Sequence, residues 1–299
     1  MNTFHPSQHM SPVFEYSDAK LRQLAQGDVA RALQEDVGNG DLTASLIDPA
    51  RQAHARILAR ESAVICGAAW VEAALQQLAP DARITWHVRD GERCAADQVV
   101  LEITGPARGL LTAERTMLNF LQLLSAVATQ TATYVQAVQT VPDNRAQIVD
   151  TRKTLPGLRL AQKYAVHCGG GANHRIGLYD AVLIKENHIA AAGGIAAVLK
   201  RAAVAAPTAK FVEIEVENLT QLDEALQAGA TMVLLDNMNL EMMREAVRRN
   251  AGRAILEVSG GVNLNTVREI AATGVDRISI GALTKDIKAI DFSMRFSEL

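Results

Sequence analysis

Apolar residues recur at every second position in three stretches of the N-terminal third of the chain, mostly alternating with polar residues. Alternation with period two is typical of strands that have one covered face. The stretches are Ala55–Ala59, Ile84–Val88 and Val99–Ile103. A turn at Asp90-Gly91-Glu92 separates the last two stretches, so the pattern predicts a mostly antiparallel sheet.

Helical spacing of apolar residues occurs in three segments around these strands. The first begins at a candidate N-cap, Ser17, and runs to Val37, and the second covers Gly67 to Leu78; both would cover the sheet. The third is long, follows Gly105-Pro106, and runs from a candidate N-cap at Thr112 towards Val138. We expect this third helix to link two domains.

After Pro142 the strands become continuous apolar runs separated by helical stretches, which is typical of a parallel sheet. The predicted strands are Gln147–Thr151, Ala181–Ile184, Phe211–Val216, Met232–Leu235, Ala254–Val258 and Arg277–Ile280. The predicted helices between them include Ile195–Ala205, Leu219–Ala228, Leu240–Arg249 and Asn265–Ala272. The pattern favours an incomplete (β/α) barrel of about six parallel strands, with a doubly wound open sheet as the alternative.

These patterns divide the chain into two expected domains. Residues 1–125 would form an α/β open-faced sandwich and residues 126–285 an α/β barrel that carries the catalytic site. The C-terminal tail, at about 286–299, would pack back on the first domain. A chain of 299 residues with 48% hydrophobic content is long enough for such a pair of cores.

Composition narrows the possible functions. Lys and Arg number 30 against 33 Asp and Glu, a net charge of -3, which argues against nucleic-acid binding and requires any basic site to be local. Three cysteines, Cys66, Cys94 and Cys168, are far apart and have no metal-binding spacing, so they indicate reduced thiols. The polar segment Met1–Ser17 and the lack of an apolar run of about 20 residues indicate an unprocessed cytoplasmic protein without a membrane span.

Cations follow the first two predicted barrel strands, where the active site of such a barrel lies. Arg152 and Lys153 follow the first strand, Lys185 follows the second, and His174-Arg175 lies in the loop between them. They could be ordinary solvated surface charges. If they converge in one mouth, however, each would lose hydration, and an anionic substrate would offset that penalty.

Glycines follow the last two predicted strands. Ser259-Gly260-Gly261 and Gly281 are placed where barrels commonly bind a phosphate through backbone N–H groups, although simple turns would need the same residues. The glycines at 169–171 suit a mobile loop or hinge equally well.

Two carboxylates, Glu215 and Asp236, are aimed at the same mouth from central strands. They could pair with the cations structurally, bind sugar hydroxyls, hold Mg²⁺, or stabilise a cationic transition state. The sequence has no zinc-spaced His/Cys cluster, no P-loop and no G-x-S-x-G motif.

Taken together, these residues closely resemble the quinolinate phosphoribosyltransferase family, and the resemblance covers nearly the whole chain after the first ~15 residues. The matching segments of the barrel half are 150–159, 163–166, 169–175, 177–178, 183–188, 213–217, 235–238, 257–261 and 279–283. Upstream, Glu35-Asp36, Gly40–Thr43 and Glu114–Asn119 also match.

The resemblance implies a reaction of 5-phosphoribosyl diphosphate with quinolinate that yields nicotinate mononucleotide, diphosphate and CO₂ in NAD biosynthesis. Mg²⁺ would accompany the diphosphate, with no organic cofactor. It also implies a cytoplasmic homodimer, or a dimer-based hexamer, in which Arg115 reaches the neighbour's active site.

The resemblance also implies roles for individual residues. Lys153, Lys185, Glu215 and Asp236 would be catalytic, with the two carboxylates facing the ribose hydroxyls and Mg²⁺. The residues implied to bind the dicarboxylate are Arg115, Arg152, His174, Arg175 and Lys185. Lys153 and Lys185 are implied near the diphosphate, and Ser259, Gly260, Gly261 and Gly281 at the 5-phosphate. Thr151, Ala282 and Leu283 are implied to bind substrate as well.

Two other functions stay open at this point. A lysine at a strand end, such as Lys185, is where a Schiff-base aldolase can carry its imine. A non-catalytic relative that only binds anions, or that serves molybdenum transport, could share the same barrel motifs.

Overall fold

A computed structural model describes residues 15–297. Most of the polar N-terminal segment that we interpreted as unprocessed, residues 1–14, lies outside the described residues, as do residues 298–299 at the end of the C-terminal tail. The α-helices are α1 Asp18–Asp36, α2 Ala68–Leu78, α3 Ala107–Gln139, α4 Arg159–Cys168, α5 Glu186–Ala192, α6 Ile195–Ala205, α7 Leu219–Gln227, α8 Leu240–Asn250, α9 Val267–Ala271 and α10 Ala282–Lys285. The strands are β1 Gln52–Ala59, β2 Ala63–Val64, β3 Arg83–Trp86, β4 Arg93–Cys94, β5 Val99–Pro106, β6 Gln147–Val149, β7 Val182–Ile184, β8 Val212–Val216, β9 Met232–Asp236, β10 Ile255–Ser259, β11 Arg277–Ser279 and β12 Phe292–Ser297.

The chain divides into two compact units. The sheet unit comprises Glu15–Ala132, Leu155–Gly170 and residues 283–297, and the barrel unit comprises Thr133–Thr154 and Gly171–Ala282. The long helix α3 contributes residues to both units. Within residues 15–297 no single helix is long and apolar enough to cross a membrane; the bent pair α5 and α6, with 94° between its helices, passes by length and composition only.

The sheet unit is built on an antiparallel sheet of order β12-β1-β5-β3, as the alternation predicts. In β1 every second residue is buried, including Ala55 and Ile57, which have no solvent exposure. Strand β12 pairs with β1 from His54 opposite Ser297 to Ala59 opposite Phe292. A second, two-stranded antiparallel sheet joins β2 to β4.

The predicted start of the long helix is wrong. Helix α3 begins at Ala107, directly after the strand that ends at Pro106, so Thr112 lies inside the helix. The Thr112 hydroxyl lies 3.0 Å from the carbonyl oxygen of Arg108 and 3.0 Å from Oδ2 of Asp41. A threonine whose hydroxyl has such partners is tolerated within a helix. For this reason a threonine in the pattern of an N-cap does not mark the start of α3.

The barrel unit contains six parallel strands in the order β6-β11-β10-β9-β8-β7. Consecutive strands are neighbours from β7 to β11, and β6 closes onto β11, which is the order of a barrel and not of a doubly wound sheet. Among the described residues, the edge strands β6 and β7 are not hydrogen-bonded to each other. The predicted incomplete (β/α) barrel of six strands is therefore confirmed.

The register of these strands brings charged residues of different strands level with one another. Glu215 of β8 and Glu257 of β10 both pair with Leu234 of β9, and Glu257 also pairs with Arg277 of β11. Alternate residues of one strand point to opposite faces of the sheet. Glu257 on one face and Ile214 on the other have no solvent exposure, and Glu215 is only partly exposed. Both faces of the barrel strands are thus covered, and one of them carries the charges.

Candidate active site

A buried histidine lies at the centre of the barrel unit. Nε2 of His174 is 2.8 Å from Oε2 of Glu213 and 3.6 Å from Oε1 of Glu257. Nδ1 of the same ring accepts a 2.8 Å hydrogen bond from the backbone N–H of Arg175. A ring nitrogen that accepts carries no proton, so in the neutral ring the proton is on Nε2 and is donated to Glu213.

Buried charged side chains of both signs surround His174. Arg277 donates from Nε to Oε2 of Glu257 at 2.8 Å, and both side chains are buried. Glu213 is also buried and adds a second carboxylate. The charge of Arg175 also acts on Glu213, so the ring lies among charges of both signs in a medium of low dielectric, where each acts strongly on the others.

Two groups of this network, His174 and Glu213, have pKa values above their ordinary ones. Burial lowers the pKa of His174, but the carboxylates of Glu257 and Glu213 outweigh it, so the net shift is upward. Burial and the neighbouring Glu257 raise the pKa of Glu213. The N–H of Arg175 opposes a proton on Nδ1 because a protonated nitrogen cannot accept its bond. The pair therefore titrates as one coupled unit.

Asp150 anchors the loop that carries His174. This carboxylate follows β6, has no solvent exposure, and accepts 2.8 Å and 2.7 Å hydrogen bonds from the backbone N–H of His174 and from Nδ2 of Asn173. A carboxylate that receives two N–H donors is satisfied although it is buried. Asp150 therefore holds the loop in register with the strand ends.

The two arginines of the predicted cation cluster lie close enough to repel each other. Burial lowers the pKa of Arg175, and the positive charge of Arg152 lowers it further. Nη1 of Arg175 lies 3.4 Å from the carbonyl oxygen of Ala181, and 9% of Arg175 is exposed. Two guanidinium groups in a partly desolvated place favour an anion as a shared partner.

Lys153 and Thr151 converge on the glycine that follows β11. The N–H of Lys153 donates to Oγ1 of Thr151 at 3.0 Å. A Cβ atom added to Gly281 would lie 3.1 Å from Cδ of Lys153 and 3.7 Å from Oγ1 of Thr151. A side chain at residue 281 would therefore crowd Lys153, and glycine leaves backbone groups open there.

The two predicted carboxylates have different partners. Nζ of Lys185 lies 2.9 Å from Oε2 of Glu215, and half of the lysine side chain is open to solvent. Oδ2 of Asp236 accepts a 2.9 Å hydrogen bond from Nδ2 of Asn237. Asn237 has a left-handed backbone, with φ of 51°, and its N–H donates to the carbonyl of Ser259 at 3.2 Å. The turn after β9 is thus tied to the end of β10.

Carboxylate oxygens of Glu215 and Asp236 are the hard ligands that Mg²⁺ prefers, so both residues fit such an ion. The ligand atoms of His174, Glu213 and Glu257 also lie within 4.8 Å of one another. Glu213 and Glu257 have no solvent exposure, whereas Glu215 and Asp236 are partly exposed, and Mg²⁺ usually keeps several of its waters. Glu215 and Asp236 are therefore the better candidates, with Lys185 as a neighbour that Glu215 would have to share.

Most of the predicted site residues lie at the carboxyl ends of strands in the barrel unit. These are Thr151, Arg152, Lys153, Lys185, Glu215, Asp236, Ser259, Gly260, Gly261, Gly281 and Ala282. His174 and Arg175 are in the same unit, in the segment between α4 and β7. Two others belong to the sheet unit. Arg115 is on α3, with Nη2 3.7 Å from Oε1 of Glu114. The side chain of Leu283 is fully buried, which leaves only its backbone for a ligand.

Sequence reasoning did not select Asp150, Glu213, Glu257 or Arg277 as site residues. A signal was nevertheless present for three of them, because Glu213, Glu257 and Arg277 are charged residues inside or next to apolar runs. Charged residues in a strand that is covered on both faces need buried partners. Which partners they find depends on strand register.

Comparison with known proteins gives consistent matches along the chain. The family model described as quinolinate phosphoribosyl transferase, C-terminal domain, matches residues 127–295, and the model of the N-terminal domain matches residues 41–125. The probable nicotinate-nucleotide pyrophosphorylase (carboxylating) of Bacillus subtilis (strain 168) is 40% identical over 260 residues, which are 87% of this chain and 89% of that protein. The nicotinate-nucleotide pyrophosphorylase (carboxylating) of Mycobacterium leprae is 42% identical over 280 residues, 90% of this chain and 96% of that protein.

Solved structures agree with these matches. The nicotinate-nucleotide pyrophosphorylase from Francisella tularensis superimposes with a TM-score of 0.90 at 42% identity, covering 97% of this chain and all of the other. NadC from Streptococcus pyogenes gives a TM-score of 0.89 at 38% identity, covering 96% of this chain and 99% of the other. Both likenesses extend over the two units.

Proposed function

This chain belongs to the quinolinate phosphoribosyltransferase family, and we therefore propose that it is a pentosyltransferase of NAD biosynthesis. It transfers the phosphoribosyl group of 5-phosphoribosyl diphosphate to quinolinate and releases diphosphate and CO₂, which leaves nicotinate mononucleotide. The observation that carries this function is the match of both quinolinate phosphoribosyl transferase domain models, over residues 41–125 and 127–295, and the neighbouring guanidinium groups of Arg152 and Arg175 are consistent with a dianionic substrate.

The pyridine dicarboxylate binds at this pair. A guanidinium group binds a carboxylate in a fork of two hydrogen bonds, so Arg152 and Arg175 can each take one carboxylate of quinolinate. His174 and Lys185 complete the surroundings of the ring, and Arg115 is supplied by the partner subunit of a homodimer. The chain then works as a dimer, or as a hexamer of such dimers, in the cytoplasm.

The 5-phosphate of the sugar binds at the carboxyl ends of β10 and β11. Ser259, Gly260 and Gly261 follow β10, and Gly281, Ala282 and Leu283 follow β11. Residues 282–285 form the short helix α10, and backbone N–H groups at such a place suit a phosphate. The buried side chain of Leu283 is consistent with a contact through its N–H.

The diphosphate and the ribose lie between the lysines and the carboxylates. Lys153, Lys185 and Thr151 face the diphosphate, and Glu215 and Asp236 face the ribose hydroxyls and hold Mg²⁺. The ion, when bound, neutralises the charge of the leaving diphosphate. The present ion pair between Lys185 and Glu215 would exchange its partners when the substrate enters.

The transfer is a displacement at the anomeric carbon. The bond from this carbon to the diphosphate oxygen breaks before the bond to the quinolinate nitrogen is complete, so positive charge develops on the sugar. Fixed negative charge of Glu215 and Asp236 stabilises that charge, and Lys153 and Lys185 stabilise the departing oxygen.

Decarboxylation follows from the new bond. Ribosylation makes the ring nitrogen cationic, so the adjacent carbon can hold the electron pair that CO₂ leaves behind. That carbon then takes a proton. The main task of the protein in this step is to remove water from the carboxylate that departs.

The test of this function incubates the protein with Mg²⁺, quinolinate and 5-phosphoribosyl diphosphate, and measures nicotinate mononucleotide and CO₂. Equal amounts of both products are expected. Absence of product would refute the function, and product from nicotinate but not from quinolinate would reassign it to a related transferase. Arg175→Ala should weaken quinolinate binding more than 5-phosphoribosyl diphosphate binding, and equal losses for both substrates would contradict the assignment of Arg175.

A further inference from the structure

Two of the three cysteines meet in the sheet unit, although they are far apart in the sequence. Cys66 lies between β2 and α2, and Cys168 is the last residue of α4. Both are free thiols. Their Sγ atoms and a carboxylate oxygen of Asp90 all lie within 4.8 Å of one another.

We propose that Cys66, Cys168 and Asp90 form a binding site for a thiophilic divalent cation such as Zn²⁺. A zinc–sulfur bond is about 2.3 Å long, so two thiolates on one tetrahedral ion lie about 3.8 Å apart. The present separations exceed this distance by about 1 Å at most. Small side-chain rotations would therefore be enough to complete the geometry.

The position of Asp90 is held by its own hydrogen bonds. Oδ1 of Asp90 accepts from the backbone N–H groups of Gly67 and Ala68 at 3.0 Å and 3.1 Å, and the hydroxyl of Tyr164 donates to Oδ2 at 3.0 Å. Such outer partners orient a ligand and tune its basicity. The Tyr164 oxygen is also the nearest candidate for a fourth position.

The electrostatics of this cluster favour a cation over free thiolates. Burial, then Cys168 and Asp90, raise the pKa of the Cys66 thiol well above its usual value. The pKa of Asp90 is raised by burial despite its hydrogen bonds, and that of Tyr164 is raised by burial and by Asp90. Burial first, and then the neighbouring negative charges, thus favour the protonated form of each of these groups. A bound dication takes the place of the protons and favours the ionised form of its ligands.

The same electrostatics argue against a disulfide switch. The thiolate is the form that attacks a disulfide or a peroxide, and the carboxylate of Asp90 disfavours the thiolate of Cys66. Cys168 is half-buried and is accessible to an ion. It directly precedes the Gly169-Gly170-Gly171 run that leads to His174 and Arg175, so a bound ion would fix the start of that segment.

The test uses the full-length, thiol-reduced and chelator-treated protein with Cd²⁺ as the probe. Cd²⁺ bound to thiolate gives an ultraviolet sulfur-to-metal charge-transfer band, which carboxylate and imidazole sites do not give. We expect one equivalent per chain, and binding should strengthen with rising pH because thiol protons are released. Zn²⁺ should displace Cd²⁺ and raise the melting temperature.

Variants of the three cysteines make the assignment specific. Cys66→Ala and Cys168→Ser should each weaken Cd²⁺ binding by more than about 100-fold. That figure is the upper end of the loss seen when a residue that only hydrogen-bonds to a metal ligand is removed, and removing a ligand itself should cost more. Cys94→Ala is the matched control, because Cys94 is a buried thiol of the same unit outside the cluster, and it should bind as the parent does.

Three results would overturn the proposal. The first is the lack of a charge-transfer band in reduced parent protein whose melting curve shows it to be folded. The second is a band that survives both Cys66→Ala and Cys168→Ser. The third is a Cys66–Cys168 disulfide that forms readily with oxidised glutathione in protein that binds no Cd²⁺. None of these measurements depends on transferase activity, so they test the cation site separately from the proposed reaction.

Discussion

Oε2 of Glu213 accepts a 2.8 Å hydrogen bond from Nε2 of His174 inside the barrel unit, where both side chains are buried. Among the hydrogen bonds described, Glu213 meets the predicted cation cluster only at this ring, and its charge also acts on Arg175. It is therefore a positioning residue that acts through His174. Glu213 offers His174 a hydrogen-bond acceptor and a negative charge, and substitutions can separate these two effects.

Replacing Glu213 tests these two contributions. Glu213→Gln keeps an acceptor and removes a charge that burial disfavours, so the free energy of unfolding should change by less than about 1 kcal/mol. Glu213→Ala leaves the Nε2–H of His174 without its partner and should destabilise by about 1–3 kcal/mol. Urea unfolding measures both variants. In Glu213→Gln the pKa of His174 should fall, as followed by NMR of its ring, and an unchanged pKa would refute the positioning role.

Stability should depend on pH through the same network. The pKa of His174 is raised in the folded state, so its stabilising contribution is complete below its unfolded pKa of about 6.5 and is lost as pH rises through the folded pKa. The raised pKa of Glu213 acts in the same direction. The free energy of unfolding should therefore fall as pH rises, from about 4.5 upward through Glu213 and from about 6.5 upward through His174. His174→Gln should flatten this slope and His87→Gln, in the sheet unit, should leave it intact; identical slopes in all three proteins would contradict the expectation.

Lys185 and Glu215 should matter for turnover and little for stability. Their 2.9 Å ion pair has a half-exposed lysine, and exposed pairs contribute about 0–1 kcal/mol. If both groups face the reacting sugar and diphosphate, Lys185→Ala and Glu215→Gln should each lower kcat by about 10²-fold to 10³-fold. Steady-state kinetics and melting curves on the same samples make the comparison. A loss of activity that merely follows a loss of folded protein would count against the proposed roles.

Gly260 should couple the phosphate site to Asp236. A Cβ atom at residue 260 would lie 2.2 Å from Oδ1 of Asn237, whose Nδ2 holds Asp236, and φ of Gly260 is +101°. Gly260→Ala should therefore displace Asn237 and raise the KM for 5-phosphoribosyl diphosphate. Gly252→Ala is the control, because Gly252 also has a positive φ but has open space around it. Equal KM values for the two variants would show that backbone strain alone is responsible.

The proposed Mg²⁺ ligands can be tested by metal removal. Chelator treatment should abolish product formation, and added Mg²⁺ should restore it. Asp236→Asn and Glu215→Gln should shift the Mg²⁺ concentration needed for half-maximal rate upward, because each removes a charged oxygen ligand. A rate that survives chelation, or a requirement unchanged in both variants, would remove these residues from the metal site.

Much of the fold was readable from local patterns. The helix at Ile195–Ala205 has the predicted bounds, and all six barrel strands are present within two residues of the predicted ends. The errors have local causes too. Thr112 has the side chain of an N-cap but lies inside α3, and strand β6 ends at Val149, before the predicted Thr151. Helices α4 and α5 were not predicted, and α5 begins immediately after Lys185.

The sequence alone determined which residues end the barrel strands, because hydrophobic period, turn residues and strand length are short-range properties. The sequence therefore indicates Arg152, Lys185, Glu215 and Asp236 as candidate site residues without the tertiary structure. Which charges meet is a long-range property. The pairing of Glu257 with Arg277 follows from the register of two strands, and the meeting of Cys66 with Cys168 follows from the packing of separate segments. A buried charge needs a partner, but the linear order of residues does not say where that partner lies; strand register and packing do.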